Sequence, residues 1–600
     1  SQKHFYMEPQ VALAVPGEDD SLSIWQSVQV PSWAHETLRR VTGLSKHRLL
    51  LSIPAVGGGF GGKLFRGMHV GCVAALAAMK FKRATRFVLN RNADVVMTGG
   101  RVAMTVNYEA GFDDAGKLAA VRVKNLADCG GLDPCTSFAT GVAVKNMEQI
   151  YGIPNLDLKV WSCRTDKTPA TAVRGPGEPQ ASFIMESILE HVAEELGKST
   201  HEVREVNIFV DSDGQAACAA DPTSPTIDKH SLQMSINEGK DADGNAFKGF
   251  PALGIWEMLK KNADHAGKAK ALQDFNATHR WRKRGLSMTP VKYGVSVRAQ
   301  QAFICLYDDG TALITLDATE IGQGLHTKVI QYAAHHLSQI VPGSDVPVEK
   351  IRVGPTGTDK IAFGSITGGS TSSEGCCEAI REAIGKLKEE LEPFKKKLAE
   401  DGKEVTYLSV VKAASNVGNG AEMQASGKCK DFAGLSYHIF GACMSEVEVD
   451  VLTGETTILS TDMLYDCGKS LNPLIDCGQA EGAFMYGVGF FLRENLVQSE
   501  ETGQVISDGT WEYKIPCAQD VPLELNVEFF PRPFDEGVMS SKGSGEPPLV
   551  LATSVFCAVR QAVAAGRKEF GKTGHFRMDA PSTPRDIALA IGVGPEAMAL

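Results

Sequence analysis

The chain has 600 residues, 43% hydrophobic and 22% charged, so it can bury large cores and is expected to fold into more than one domain. Its 61 basic and 72 acidic residues give a net charge of -11, which argues against a nucleic-acid-binding protein. The 14 cysteines form no C-x-x-C pair, and no signal-peptide or membrane-spanning pattern is found, so a cytoplasmic location without membrane association is expected.

The first patterned segment is a strand-like run at 48–56, followed by the loop GGGFGGK at 57–63 and a helix-like apolar run. The loop fits the P-loop pattern, but Leu64 stands where a magnesium-binding Ser or Thr is required. It also fits G-x-G-x-x-G, but Asn90 and Arg91 stand where a ribose-binding acid is expected. Two interpretations remain: a loop that cradles an anion or a bulky ligand, or a tight turn.

Helical and strand-like segments alternate irregularly along the chain, which indicates an α+β protein with mixed sheets. We predict a helix at 182–196 that ends at Gly197, and Ser199 with Glu202 offers a capping box for the next helix. The sequence becomes polar and rich in Lys and Ala near 235–277 before strand-like alternation resumes. We therefore predict a first lobe at 1–235, a helical connector at 236–280 and a second lobe at 281–600.

Further loops of small residues carry hydrogen-bonding side chains, which suggests that they wall one extended, oxygen-rich ligand. Gln323, Ser370 and Gln479 can donate hydrogen bonds to such a ligand, and Arg174 can neutralise its negative charge. These loops lie at 172–180, 319–328, 366–373 and 476–484.

A single carboxylate, Glu546, lies in the run GSGEPPL at 543–549. Pro547 and Pro548 fix their own backbone and favour an extended conformation for Glu546, and the apolar run at 549–565 is typical of a buried helix. The carboxylate is thus expected at the mouth of that helix, either as a functional acid or as an ordinary helix N-cap.

The motifs GGGFGGK, R-G-x-G-x-x-Q at Arg174, EIGQGLHTK, GQAEGAF and GEPPL occur in this order. Together they resemble the molybdenum hydroxylases, the family of aldehyde oxidase and xanthine dehydrogenase, over essentially the whole chain. The part matched is the molybdenum-cofactor-binding portion, entered partway through its first lobe. The resemblance implies two large, elongated α+β lobes that enclose a molybdopterin. The molybdenum carries oxo, sulfido and hydroxo groups and is held by the pterin dithiolene, not by protein side chains.

The resemblance also implies roles for individual residues. Gln29, Phe60, Arg174 and Gly369 match residues that line the metal without ligating it. Glu546 matches the general base, which takes the proton of the Mo–OH group while hydride passes from the substrate to Mo=S and water supplies the oxygen. Further residues match cofactor-binding positions, namely Gly59, Gly61, Gly322, Gln323, Gly324, Ser370, Ser372, Gln479 and Gly545.

The expected substrate pocket departs from the purine pattern. Xanthine-type enzymes carry a glutamate, an arginine and two phenylalanines where this chain has Leu64, Val142, Pro176 and Val297. A purine would lose hydrogen bonds and both stacking faces there, so these residues either form an apolar pocket or only fill space. The run that begins at Arg174 resembles the aldehyde oxidase type, which implies oxidation of aldehydes to carboxylic acids.

Two other functions stay open: a purine or heterocycle hydroxylase of the xanthine dehydrogenase type, and a catalytically silent structural subunit. The resemblance further implies partners that receive electrons, with 2Fe-2S clusters and FAD on domains or subunits outside this chain, and a homodimer.

Overall fold

The computed structural model describes residues 2–209, 227–228, 231–234, 251–415, 420–430 and 433–598. The strands in chain order are β1 Val11–Pro16, β2 Leu22–Gln26, β3 Leu49–Ile53, β4 Thr85–Val88, β5 Ala103–Phe112, β6 Leu118–Gly130, β7 Leu156–Arg164, β8 Ile227–Asp228, β9 Ser231–Met234, β10 Arg282–Ser296, β11 Gln301–Leu306, β12 Ala312–Leu316, β13 Ile351–Val353, β14 Thr356–Gly357, β15 Gln424–Lys428, β16 Ser436–Asp450, β17 Thr456–Tyr465 and β18 Glu524–Phe529.

The described residues also form α-helices along the whole chain. They are α1 Pro31–Thr42, α2 Met68–Phe81, α3 Arg91–Thr98, α4 Thr136–Lys145, α5 Glu178–Leu196, α6 Thr200–Asn207, α7 Ala252–Asn262, α8 His265–Thr278, α9 Leu325–Ser338, α10 Ser372–Glu400, α11 Tyr407–Ala414, α12 Pro473–Val488, α13 Thr553–Glu569 and α14 Pro584–Ile591. The α+β fold predicted from the sequence is confirmed.

The strands form mixed sheets, two from each half of the chain. The sheets β14-β3-β2-β1-β4 and β5-β6-β7-β9-β8 come mainly from the first half, and β10-β16-β17-β18 and β13-β12-β11-β15 come from the second. The halves are joined, because β14 pairs with β3. Leu286, Phe440 and Leu464 also enter the core of the first half. The two predicted lobes therefore share packed surface.

Two helix ends lie where the sequence predicts them. The helix predicted at 182–196 is α5, which ends at Gly197 in the left-handed conformation (φ 65°). The capping box between Ser199 and Glu202 is formed at the start of α6. Both predictions are confirmed, because they depend on contacts within one helical turn.

The helical connector predicted at 236–280 is described in part. Residues 251–280 contain α7 and α8, whereas 236–250 lie outside the described residues. Trp256 of α7 is buried in the core of the first half. The lobe boundaries themselves stay a prediction.

Within the described residues, one helical stretch, Pro547–Glu569, has the length and hydropathy of a membrane span, but 83% of its most apolar window is buried inside the protein. It consists of a 3₁₀ turn, Pro547–Ala552, and α13, which packs against β10 and β16. This is the buried helix predicted at 549–565, and it places Glu546 at its start.

Candidate active site

Glu546 precedes the turn Pro547–Ala552 and makes no side-chain capping hydrogen bond. The N-cap interpretation is therefore wrong. The extended conformation predicted for this residue is also wrong, since its backbone is helical (φ -114°, ψ -40°). A following proline only disfavours the helical region, and the contacts of the Glu546 side chain can outweigh that preference.

Three distant segments hold the Glu546 carboxylate. Oε1 accepts a hydrogen bond from the Gly175 N–H at 3.2 Å, and Oε2 accepts from the hydroxyls of Tyr293 at 2.9 Å and Ser370 at 3.4 Å. Burial, then the charge of Glu546, raises the pKa of Tyr293 well above its usual value. Tyr293 is consequently a neutral donor, and Glu546 is a fixed acceptor in a partly buried setting.

Arg174 ties the first half of the chain to the loops around Glu546. Its Nε donates to the Gly545 carbonyl at 2.6 Å, and its Nη2 donates to Gln479 Oε1 at 3.1 Å. Burial lowers its pKa to about 10, and the charge of Glu546 opposes that shift. Arg174 therefore keeps its positive charge at neutral pH.

The GGGFGGK loop packs closely against the backbone of a neighbouring segment. Phe60 has φ 52° and stacks on Tyr486 at 5.3 Å between ring centroids. Gly61 has φ 101°, and a Cβ on it would lie 2.3 Å from the Ala172 carbonyl oxygen. Gln29 Oε1 accepts from the Gly61 N–H at 3.1 Å, so it anchors the loop.

Lys63 does not serve as a phosphate ligand. Its Nζ donates to the carbonyl and the carboxylate of Glu8, both at 2.8 Å, and lies 4.5 Å from the centroid of the Tyr6 ring. The side chain is fully buried in these contacts. Together with Leu64, this arrangement removes the P-loop interpretation and leaves a ligand-approach loop.

Two cavities meet at Glu546. The first has a volume of about 600 Å³ and the second about 510 Å³. Their shared wall consists of Gln29, Phe60, Gly61, Arg174, Gly368, Gly369 and Glu546. The residues predicted to line the metal thus converge at the junction of the two cavities.

Most of the predicted cofactor-binding residues line the 600 Å³ cavity, namely Gln29, Phe60, Gly61, Arg174, Gly322, Gln323, Gly369, Ser370, Ser372, Gln479 and Gly545. Gly59 and Gly324 are not in its wall. They allow close packing behind it, since a Cβ would lie 2.7 Å from Gln29 Oε1 or 2.8 Å from Ile475. Gln323 bonds to the Ile321 N–H and the Thr319 carbonyl, so its side chain mainly shapes its own loop.

The residues of this cavity fit an extended, anionic cofactor such as molybdopterin. A Cβ on Gly322 or Gly478 would point into open space, so these glycines leave room for a ligand. Ser372 begins α10 and Leu325 begins α9, and both residues line the cavity. The N-terminus of α10 suits phosphate binding, whereas the Gly324 and His326 N–H groups at the start of α9 already donate to the Glu320 carboxylate.

The 510 Å³ cavity has a largely apolar wall that includes the predicted residues Leu64, Val142 and Pro176. The predicted pocket role of Val297 is corrected. Its side chain is buried in the core, and its backbone continues the pairing of β10 through Leu435, while Val295 lines the cavity instead.

The wall of this cavity also contains aromatic and acidic residues that the sequence did not reveal. The rings of Trp33 and Phe65 stack at 5.2 Å between centroids, and Phe138 lies in the same wall. Tyr293 gave no signal within its apolar strand. Glu178 did give one, as an acid inside the R-G-P-G-E-P-Q run, but no role was assigned to it.

The Glu546 carboxylate therefore lies between a cavity that suits an anionic cofactor and a largely apolar cavity. Family models described as molybdopterin cofactor-binding domain match residues 1–208 and 258–522. The chain belongs to the molybdenum hydroxylase family and is of the aldehyde oxidase type.

Named relatives agree with this assignment. The chain is 39% identical to an indole-3-acetaldehyde oxidase of Zea mays, over 97% of this chain and 42% of that protein. It is 36% identical to the abscisic-aldehyde oxidase of Arabidopsis thaliana, over 97% of this chain and 43% of that protein. The chain thus spans less than half the length of these relatives.

Solved structures share the fold at lower identity. Quinoline 2-oxidoreductase from Pseudomonas putida 86 matches with a TM-score of 0.81 and 21% identity, over 99% of this chain and 75% of that one. Aldehyde oxidoreductase from Desulfovibrio gigas matches with a TM-score of 0.78 and 22% identity, over 99% of this chain and 60% of that one.

Proposed function

We propose that this chain is the molybdenum-cofactor-binding portion of an enzyme that oxidises aldehydes to carboxylic acids, with water as the oxygen source. The observation that carries the proposal is the position of Glu546, fixed by three donors where the two cavities join. Relatives named as aldehyde oxidases support the substrate class. When bound, molybdopterin supplies the two-electron redox chemistry.

Glu546 is the general base in this proposal. Its Oε2 is occupied by the hydroxyls of Tyr293 and Ser370, whereas Oε1 accepts one backbone N–H, from Gly175. The less occupied Oε1 is therefore the atom that takes up the proton released during hydroxylation. The fixed geometry lowers the cost of orienting the base for each turnover.

The residues around Glu546 hold the cofactor and exclude water. Arg174 and the N-terminus of α10 supply positive potential to the cofactor cavity, and Gln479 accepts a hydrogen bond from Arg174. Leu64, Val142 and Pro176 give the substrate cavity an apolar wall. An aldehyde carbon can then approach Glu546 from the apolar side.

The remaining partners belong to the same proposal. Electrons leave through 2Fe-2S clusters and FAD carried by regions outside this chain, and the protein works as a cytoplasmic homodimer. The short span of the chain relative to its relatives supports additional regions in the complete protein.

The test is a substrate panel on the purified full-length protein with its molybdenum content measured. We expect bound molybdenum and a kcat/KM for benzaldehyde and an aliphatic aldehyde well above that for xanthine. A preference for xanthine would favour the heterocycle hydroxylase. The absence of molybdenum from protein made in a cofactor-producing host would favour the silent subunit.

A further inference from the structure

Glu178 is a buried acid in the wall of the substrate cavity. It is the first residue of α5 and follows Gly177, whose φ is 94°. A Cβ on Gly177 would lie 2.1 Å from the Ala139 carbonyl oxygen, so the tight packing of α4 against this turn fixes where Glu178 stands. Only 2% of the residue is exposed.

One of the two oxygens of the Glu178 carboxyl group has a hydrogen-bond partner. Oε1 accepts a hydrogen bond from Asn146 Nδ2 at 3.0 Å, and the same nitrogen donates to the Val142 carbonyl at 3.1 Å. Oε2 has no hydrogen-bond partner among the described residues. A buried oxygen without a partner is unfavourable, so a ligand that supplies the missing partner gains affinity there.

The two carboxyl groups of the cavity differ in their surroundings. Glu546 receives three hydrogen bonds and serves as an acceptor. Burial raises the pKa of Glu178 well above its usual value, and the negative charge of Glu546 acts in the same direction. The N-terminus of α5 favours a carboxylate only modestly, so the surroundings of Glu178 favour its protonated, neutral form.

Two arginine side chains that line the same cavity form hydrogen bonds with other residues. Arg174 bonds to Gly545 and Gln479, and Arg298 Nη1 donates to the Gly368 carbonyl at 2.8 Å. The further titratable groups of the wall are Lys145, Tyr293, Tyr437, His438 and Cys135. In the part of the chain that the structure describes, Glu546 is the one charged group that shifts the pKa of Glu178.

We propose that Glu178 is a specificity-determining residue, which donates a hydrogen bond from Oε2 to an acceptor atom on the ring of a planar aldehyde. This inference rests on the proposed function and narrows its substrate class. In this proposal the carboxyl group turns about its soft terminal torsion and brings the buried Oε2 to the ligand. The stacked rings of Trp33 and Phe65 and the nearby Phe138 suit a flat ring in the same cavity.

The experiment compares substrates of equal shape in the full-length, molybdenum-loaded enzyme. Benzaldehyde is measured beside pyridine-2-, -3- and -4-carboxaldehyde, in which a ring nitrogen acts only as an acceptor. In Glu178→Leu we expect the ratio of kcat/KM for the preferred pyridine isomer to that for benzaldehyde to fall about tenfold, mainly through KM. Equal losses for all four aldehydes would overturn the proposal.

The conservative variant Glu178→Gln keeps the shape of the side chain and an N–H donor. We expect it to retain the wild-type ratio. If Glu178→Leu does not fold, Glu178→Met replaces it as the apolar variant. A ratio that falls as far in Glu178→Gln as in the apolar variant would contradict a donor role.

Infrared difference spectroscopy provides a readout independent of turnover. The spectrum of wild-type protein minus that of Glu178→Gln should contain the carbonyl band of a protonated carboxylic acid at neutral pH. A carboxylate band in its place would overturn the proposal.

The outcomes also separate this inference from the proposed function. A molybdenum-loaded wild-type enzyme that oxidises no aldehyde would defeat the proposed function. A wild-type enzyme that oxidises benzaldehyde but shows no dependence of the substrate ratio on Glu178 would defeat this inference alone.

Discussion

At the scale of single residues, the main feature of the site is the way in which distant segments hold Glu546. Tyr293 and Ser370 fix Oε2, and the backbone of Gly175 meets Oε1. These donors come from positions far apart in the sequence. A carboxylate oriented in this way needs little reorganisation when it accepts a proton.

Tyr293→Phe tests this orientation. We expect kcat/KM to fall about 10-fold to 100-fold, because a hydrogen bond to a charged group is lost, while molybdenum content stays at the wild-type level. Tyr332→Phe is the matched control, since Tyr332 donates to Glu378 at 2.8 Å away from both cavities. Equal turnover in the two variants would contradict the orienting role of Tyr293.

The sequence revealed Glu546 because glycines and prolines surround it, and it revealed Phe60 and Arg174 through their glycine-rich loops. It could not reveal Tyr293, whose neighbours in β10 are ordinary strand residues. Val297 has the strand spacing of Tyr293 and Val295, which line the cavity, but it does not line the cavity itself. How far a cavity extends along a strand depends on packing against other segments, which the local sequence does not define.

At the scale of elements, glycines decide where the cofactor can lie. Gly478 is a residue of α12 that faces the cofactor cavity, and a Cβ on it would meet open space. A Cβ on Gly385 of α10 would also meet open space, but Gly385 does not line either cavity. Substitutions at these two positions therefore distinguish an effect on helix stability from an effect on cofactor binding.

Gly478→Ala and Gly385→Ala form a matched pair. Both should raise the stability of their helices by about 0.5–1 kcal/mol, because alanine is the better helix former. Only Gly478→Ala should lower the amount of bound pterin and molybdenum, since its methyl group enters the cavity. Equal cofactor content in the two variants would argue against the cavity as the cofactor site.

Asp317, directly after β12, is a buried acid whose Oδ2 accepts a hydrogen bond from the Ser365 N–H at 3.3 Å. It is fully buried, its Oδ1 has no partner among the described residues, and burial raises its pKa to about 7. The native state therefore holds a proton that the unfolded chain releases near pH 4. The stabilisation is complete below that value and is lost as the pH rises toward 7.

Asp317→Asn should remove this dependence. We compare the Tm of the variant minus the Tm of the wild type at two pH values. We expect this difference to be larger at pH 8 than at pH 5 by about 2 °C or more. Thermal unfolding at both pH values measures the difference. A difference in Tm that is the same at pH 5 and pH 8 would show that Asp317 does not carry the shifted titration.

The elements themselves were largely predictable, because strands and helices follow periodicity, caps and stops. The strand, loop and helix around 57–63 and the helix α5 appear where the sequence places them. The backbone of Glu546 was not predictable from its prolines, since contacts with Gly175, Tyr293 and Ser370 outweigh a local preference.

At the scale of the whole molecule, the cofactor cavity is built from both halves of the chain. Gln29, Phe60 and Arg174 come from the first half, and Ser370 and Gln479 come from the second. A bound cofactor should therefore act as a bridge, whereas contacts such as that between Ser182 and Thr553 at 3.0 Å join the halves elsewhere.

Loading with cofactor should raise the Tm of the full-length protein, because a ligand that binds only the native state stabilises it. Hydrogen exchange should slow in the loops at 57–63, 319–324 and 366–373 on loading. Exchange in α5 and α13, which carry Ser182 and Thr553, should change little. Uniform slowing throughout the chain would contradict a local bridge at the cleft.

In the proposed enzyme, distant segments orient Glu546 as a base beside a cofactor that it does not hold. The most direct measurement is aldehyde turnover of Glu546→Gln together with its molybdenum content. We predict wild-type molybdenum content and a loss of about 10²-fold to 10⁴-fold in kcat/KM. Turnover close to that of the wild-type enzyme at full molybdenum content would contradict the account.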